Sequence, residues 1–216
     1  MHGGEPGLEC RKNCVHFGRM NTSHQQVGFV TRSSDYLQAA KNLIASQEAG
    51  ILTLRTEDRI DVLIGHAFEL ILRACLLSLG EGHKNPGSFK HDILKLYSYL
   101  CDQADSIRKM PDHINEKWRA ELSRLRMQTW EEFPNYACAM EKLCHPNQDQ
   151  IDAVEFDVSE DIKWYNDQMT KAGNQFRYFS GRLQILPQVV YGNKNLHRPR
   201  QSLIWATEYV SERLNQ

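Results

Sequence analysis

Arg59, His66, Glu69 and Arg73 fall on one narrow strip of residues 57–79, EDRIDVLIGHAFELILRACLLSL, a segment that is otherwise apolar at helical spacing. An imidazole moves protons near neutral pH, and a guanidinium forks onto carboxylate or phosphate oxygens. The strip therefore offers acid–base chemistry from His66 with Arg59, which share a helical face, and anion binding from Arg73. The alternative is structural: Glu69 pairs with Arg73 one turn on, or accepts Arg177 from a later non-helical segment. A functional arrangement would instead have His66, His91, Arg73, Arg177 and Tyr178 lining one pocket.

The remainder of that segment dictates where the strip sits. Ile60, Leu63, Ile64, Ala67, Phe68, Ile71, Leu72, Cys75, Leu76 and Leu79 cover a far broader arc than a surface helix needs, so the helix belongs at the centre of a helical domain. Ser33 or Ser34 can cap a preceding helix through about Ala49, with Tyr36, Leu37, Ala40, Leu43 and Ile44 on one face and Gly50 beyond its end. The central helix stops at Gly80, and Pro86 and Gly87 keep the EGHKNPGS loop from continuing it. A third helix starts after Ser88 with His91 in its first turn and Ile93, Leu94, Leu96, Tyr97, Leu100, Cys101 and Ala104 inward.

Pro111 opens a fourth helix with an Ile114, Trp118, Leu122 and Leu125 stripe, and a further helical stretch over 135–143 ends at Cys144-His145-Pro146. Residues 147–161 read as an acidic connecting loop, followed by a helix capped by Ser159 with Ile162, Tyr165 and Met169 inward. The region 176–186 is a small hairpin or an ordered loop, and Pro199 starts a last helix with Leu203, Ile204, Thr207, Val210 and Leu214 inward. These elements predict an all-α, up-and-down helical bundle, with residues 1–31 as a poorly ordered tail, Met20 as an alternative start, and 32–216 as one domain.

Composition narrows the classes. A net charge of -1 supplies no global field to draw in nucleic acid, so such binding needs a local basic patch. Six cysteines in 216 residues are too sparse for a disulfide-stapled mini-fold and fit a reducing, cytoplasmic setting, and no uncharged apolar stretch of membrane-spanning length interrupts the chain. Cys10, Cys14 and His16, and separately Cys138, Cys144 and His145, each fall short of the four ligands a structural zinc site requires. No metal and no cofactor is expected.

The run His66-Ala67-Phe68-Glu69-Leu70-Ile71-Leu72-Arg73-Ala74, the Gly80-led loop, His91-Asp92-Ile93-Leu94-Lys95-Leu96-Tyr97, and Arg177-Tyr178 together resemble the HEPN-type helical domains of prokaryotic toxin and defence systems. The resemblance spans roughly residues 35–215. It implies a bundle that commonly dimerises, and ribonuclease activity in members carrying an Arg and a His a few residues apart near the start of the last helix. Here no His follows His197.

The leading expectation is thus a binding module, homodimeric, without the usual ribonuclease site, that takes RNA, a nucleotide or an operon-encoded protein partner and does not engage membranes. Its ligand-binding candidates are Arg73, Arg177, Tyr178, Arg182, Arg198 and Arg200. A metal-independent endoribonuclease using His66 or His91 with Arg59, Arg73 or Arg177 is the second expectation, and a purely structural interaction protein the third.

Overall fold

The apolar segment forms the helix around which the others assemble. The computed structural model describes residues 24–51, 57–132, 147–170, 188–191 and 194–216. The chain is an all-α helical bundle built from α1 (His24–Glu48), α2 (Glu57–Ser78), α3 (Ile93–Gln103), the single turn α4 (Asp105–Arg108), α5 (Met110–Glu132), the short α6 (Gln148–Asp152), α7 (Val158–Thr170) and α8 (Arg198–Leu214). Helix α2 packs along α1 and also meets α3, α7 and α8. Its Ile60, Ile64, Ala67, Phe68, Ile71, Leu72 and Cys75 are all fully buried, as a helix apolar around most of its circumference requires. Among the described residues no helix is long and apolar enough to cross a membrane.

Helix boundaries differ from the sequence expectation where a capping group found another partner. Helix α1 begins at His24, taking in the end of the stretch expected to be a tail, and Ser33 lies inside it. The Ser33 hydroxyl does not cap; it donates across the interface to the Ala67 carbonyl at 2.7 Å. At the other end Gly50, at φ 70°, closes α1 with its N–H on Gln47 O and the Ile51 N–H on Ser46 O, the paired bonds of a Schellman ending. In α7 the cap is Asp157, whose carboxylate accepts from the Ser159 N–H at 2.9 Å. The acidic stretch expected as plain loop contains α6, started by an Asn147–Gln150 capping box.

The chain between α7 and α8 carries an antiparallel pair, β1 (Gln188–Tyr191) and β2 (Lys194–His197), with Gln188 opposite His197 and Tyr191 opposite Lys194. The hairpin considered for 176–186, the helical stretch 135–143, and Cys10, Cys14, His16, Cys138, Cys144 and His145 lie outside the described residues.

A buried polar ladder ties α8 to its neighbours. Arg200, only 6% exposed, donates through Nε to Asp61 Oδ1 at 2.9 Å and through Nη2 to Asp61 Oδ2 at 3.1 Å, and the Tyr165 hydroxyl donates to the same Oδ1 at 3.0 Å. Burial pushes the Asp61 carboxyl up, opposed by the bonds from Arg200 and Tyr165. Two residues earlier Arg198 donates to buried Asp161 at 2.8 Å, and two residues later Ser202 Oγ accepts from the Trp118 indole N–H at 3.1 Å. Trp118, fully buried, meets Phe156 and Trp205 edge-on at 5.5 and 5.1 Å.

A buried ion pair is costly to break from one side, because the survivor keeps its desolvation penalty without its partner. Asp61→Asn and Arg200→Met should each lower stability by about 3–5 kcal/mol. Urea denaturation should show the double variant Asp61→Asn/Arg200→Met costing less than the sum of the two, and strict additivity would contradict the pairing.

Candidate functional site

Glu69 sits on the inner edge of α2, its side chain 6% exposed, and a carboxylate so placed must collect donors from whatever reaches it. Arg73, one turn on, supplies two: Nε at 2.9 Å and Nη2 at 2.7 Å, both to Oε1. The His91 ring supplies a third, its Nδ1 lying 3.2 Å from both carboxylate oxygens. His66 Nδ1 stands 3.9 Å from Oε2, beyond hydrogen-bond reach but within electrostatic contact. Burial pushes the Glu69 carboxyl up, but His66, the Arg73 charge and His91 outweigh it and hold the group below the ordinary glutamate value.

His91 reaches Glu69 because of an unusual turn. Asn85 caps a 3₁₀ turn over Pro86–Phe89, its Oδ1 accepting from the Gly87 N–H at 2.8 Å. The chain then reverses over Phe89–Asp92, closed by the Asp92 N–H on Phe89 O at 2.9 Å. Lys90 takes φ 49°, ψ -118°, the first central position of a type II′ turn that glycine normally occupies. Such a backbone costs on the order of 1–3 kcal/mol and persists only where its surroundings over-determine it. Arg73 provides that restraint, donating from Nη1 to Pro86 O at 2.9 Å and from Nη2 to Lys90 O as well as to Glu69. Asp92 then caps α3, accepting from the Lys95 N–H at 3.0 Å, so His91 lies just ahead of the helix instead of in its first turn.

The result is a shallow, open cluster. The His91 side chain is 56% exposed and that of His66 33%, one on each side of a buried carboxylate. An ionised carboxylate only accepts, so the His91 Nδ1 that faces it carries a proton and Nε2 is the edge left for a ligand. A carboxylate that orients an imidazole in this way is the arrangement used for general acid–base transfer. Among the described residues no group of three or more His, Cys, Asp and Glu is placed to hold a metal ion.

The other sequence candidates are distributed differently. Arg59 is exposed on the first turn of α2 and lies about 10 Å back along the helix from His66, so it is not among the partners of Glu69. Arg198, partly exposed, and buried Arg200 are paired with Asp161 and Asp61, so their guanidinium groups already serve internal acids. Arg73 is likewise occupied by Glu69 and two carbonyls. Arg177, Tyr178 and Arg182 lie outside the described residues, so of the two expected Glu69 pairings the one seen is with Arg73. Sequence reasoning missed Asp61 as a buried anion, although a lone acid inside the apolar arc beside Ile60 and Ile64 was the available signal. The Lys90 turn left no such signal, since nothing in its composition asks for a positive φ.

Because the folded Glu69 value is depressed, the native state binds fewer protons than the unfolded chain, so this stabilisation is complete above the ordinary glutamate range (about 4.3) and is lost as pH falls through the lower folded value. Glu69→Gln should therefore cost about 3 kcal/mol in urea denaturation at pH 7, with the gap to the parent narrowing below about pH 4. Lys90→Gly should raise the thermal midpoint, since relief of about 1–3 kcal/mol of turn strain exceeds the roughly 0.4–1 kcal/mol of added chain entropy. A lowered midpoint would show that the turn is unstrained. Comparison of the chain with protein families, with curated proteins and with solved structures found no match.

Proposed function

We propose that this chain is a HEPN-like helical binding module of a prokaryotic defence-like system, that the face carrying His66, Glu69 and His91 is its ligand site, and that the ligand is RNA or a nucleotide. The observation that carries this reading is the convergence of two partly exposed imidazoles, from α2 and from the turn before α3, on one buried carboxylate. Outward-facing imidazoles held on a rigid bundle suit recognition of a phosphate, to which the outer N–H of a protonated ring donates. The arginines at the start of the last helix are consumed by internal acids, which supports a module without the usual ribonuclease pair. Association of two copies belongs to the same proposal and brings two such faces into one particle.

A second reading draws on the same convergence. With Nε2 of His91 open and His66 on the other side of the carboxylate, the pair has the makings of a metal-independent acid and base for RNA cleavage, in which one ring accepts the 2′-hydroxyl proton and the other protonates the departing 5′-oxygen.

Labelled RNA incubated in chelator with the parent, His66→Ala and His91→Ala separates the two. Salt-dependent retardation of intact RNA, weakened in both variants, is the expected result. Cleavage by the parent that disappears in both variants would replace the binding reading with the catalytic one. Neither retardation nor cleavage would remove RNA from the proposal and leave a protein partner as the ligand of this face.

A further inference from the structure

The cluster extends in one more direction, toward α1. Tyr36 is 39% exposed, and its ring centroid lies 6.1 Å from that of His66, with the planes tilted by 39°. Helix α1 is pinned beside α2 at this height: Ser33, one turn earlier, donates to the carbonyl of Ala67, the residue after His66, and Leu37 and Ala40 are buried beneath. The Tyr36 ring is therefore held at the rim of the site by a rigid helix. Glu69 is also met by His91, which follows Lys90 in the turn. Tyr36, His66, Glu69 and His91 thus follow one another in contact, with an aromatic ring at one end and an open imidazole at the other.

That order is asymmetric, and its two ends suit different parts of a ligand. An aromatic face left open beside polar groups stacks on a planar ring, and every nucleobase presents one. An imidazole protonated on both nitrogens donates from its outer N–H as well and suits an anion. A duplex keeps its bases stacked on one another, so only an unpaired nucleotide can lay its base on Tyr36 while its phosphate reaches the histidines. We infer, building on the ligand site proposed above, that Tyr36 is a base-stacking residue and that the site takes a single-stranded nucleotide unit, base on Tyr36 and phosphate between His66 and His91.

The test measures fluorescence anisotropy of a labelled single-stranded RNA oligonucleotide with the parent protein, Tyr36→Ala, Tyr36→Phe and the control Val27→Ala, a residue 50% exposed on α1. Circular dichroism verifies that each variant is folded. Tyr36→Ala should weaken binding by about 5- to 150-fold, corresponding to a stacking contribution of about 1–3 kcal/mol, while Tyr36→Phe stays within about twofold because a phenyl ring stacks as well. Adenosine monophosphate should displace the oligonucleotide better than ribose 5-phosphate, and the paired duplex should bind less well than the single strand. Parent-like binding by Tyr36→Ala, or equal competition by the two small phosphates, would overturn the stacking role and leave the ligand site standing. Failure of the parent itself to bind the single strand would take away the nucleic-acid site and the stacking role together.

Discussion

Two carboxylates inside a central helix constrain this bundle more than any other feature. A helix apolar over most of its surface is buried on most sides, and any acid it carries loses water and must be given a counter-charge by another element. Asp61 obtains Arg200 from α8 and the Tyr165 hydroxyl from α7. Glu69 obtains Arg73 from its own helix and His91 from the turn ahead of α3. Each acid thereby specifies which segment lies against α2 and at what height, so the polar groups select one arrangement among the many that apolar packing alone would allow.

The two clusters solve the same electrostatic problem with different consequences. Around Asp61 the hydrogen-bonding partners Arg200 and Tyr165 are themselves buried, and the cluster ties three helices together. Around Glu69 the partners are graded, from a nearly buried guanidinium to an imidazole more than half open to solvent. A carboxylate anchored on one side and presenting histidines on the other holds reactive groups in place without hiding them, which is what a ligand site on a rigid scaffold needs.

Arg73 links the two requirements. A single planar fork meets the Glu69 carboxylate and the carbonyls of Pro86 and Lys90, so it neutralises the buried acid and restrains the strained turn at once. A lysine at this position would carry the charge but not the geometry, since a point charge has no fixed fork with which to hold three acceptors. The turn in turn aims His91. The cluster is therefore cooperative: acid, guanidinium and turn each depend on the others for their position.

Periodicity alone established the all-α bundle, the central place of α2, the inward stripe Ile114, Trp118, Leu122 and Leu125 of α5, and the inward residues Leu203, Ile204, Thr207, Val210 and Leu214 of α8, because burial of an apolar face is a local property that repeats with the helix turn. It also placed His66, Glu69 and Arg73 on one strip and made Glu69 with Arg73 a natural pair one turn apart. Tertiary structure decided everything that joins residues distant in the chain. Arg198 and Arg200 have the residue type and position of phosphate ligands, yet the fold pairs them with Asp161 and Asp61, because the freedom of a charge depends on which partner the fold supplies. Ser33 read as a helix cap until Ala67 offered its carbonyl, and His91 met Glu69 only through a backbone conformation at Lys90 that no side chain announces. Spacing along a helix sets which groups share a face, whereas pairing across elements is set by three-dimensional packing, and the histidine–carboxylate cluster belongs to the second kind.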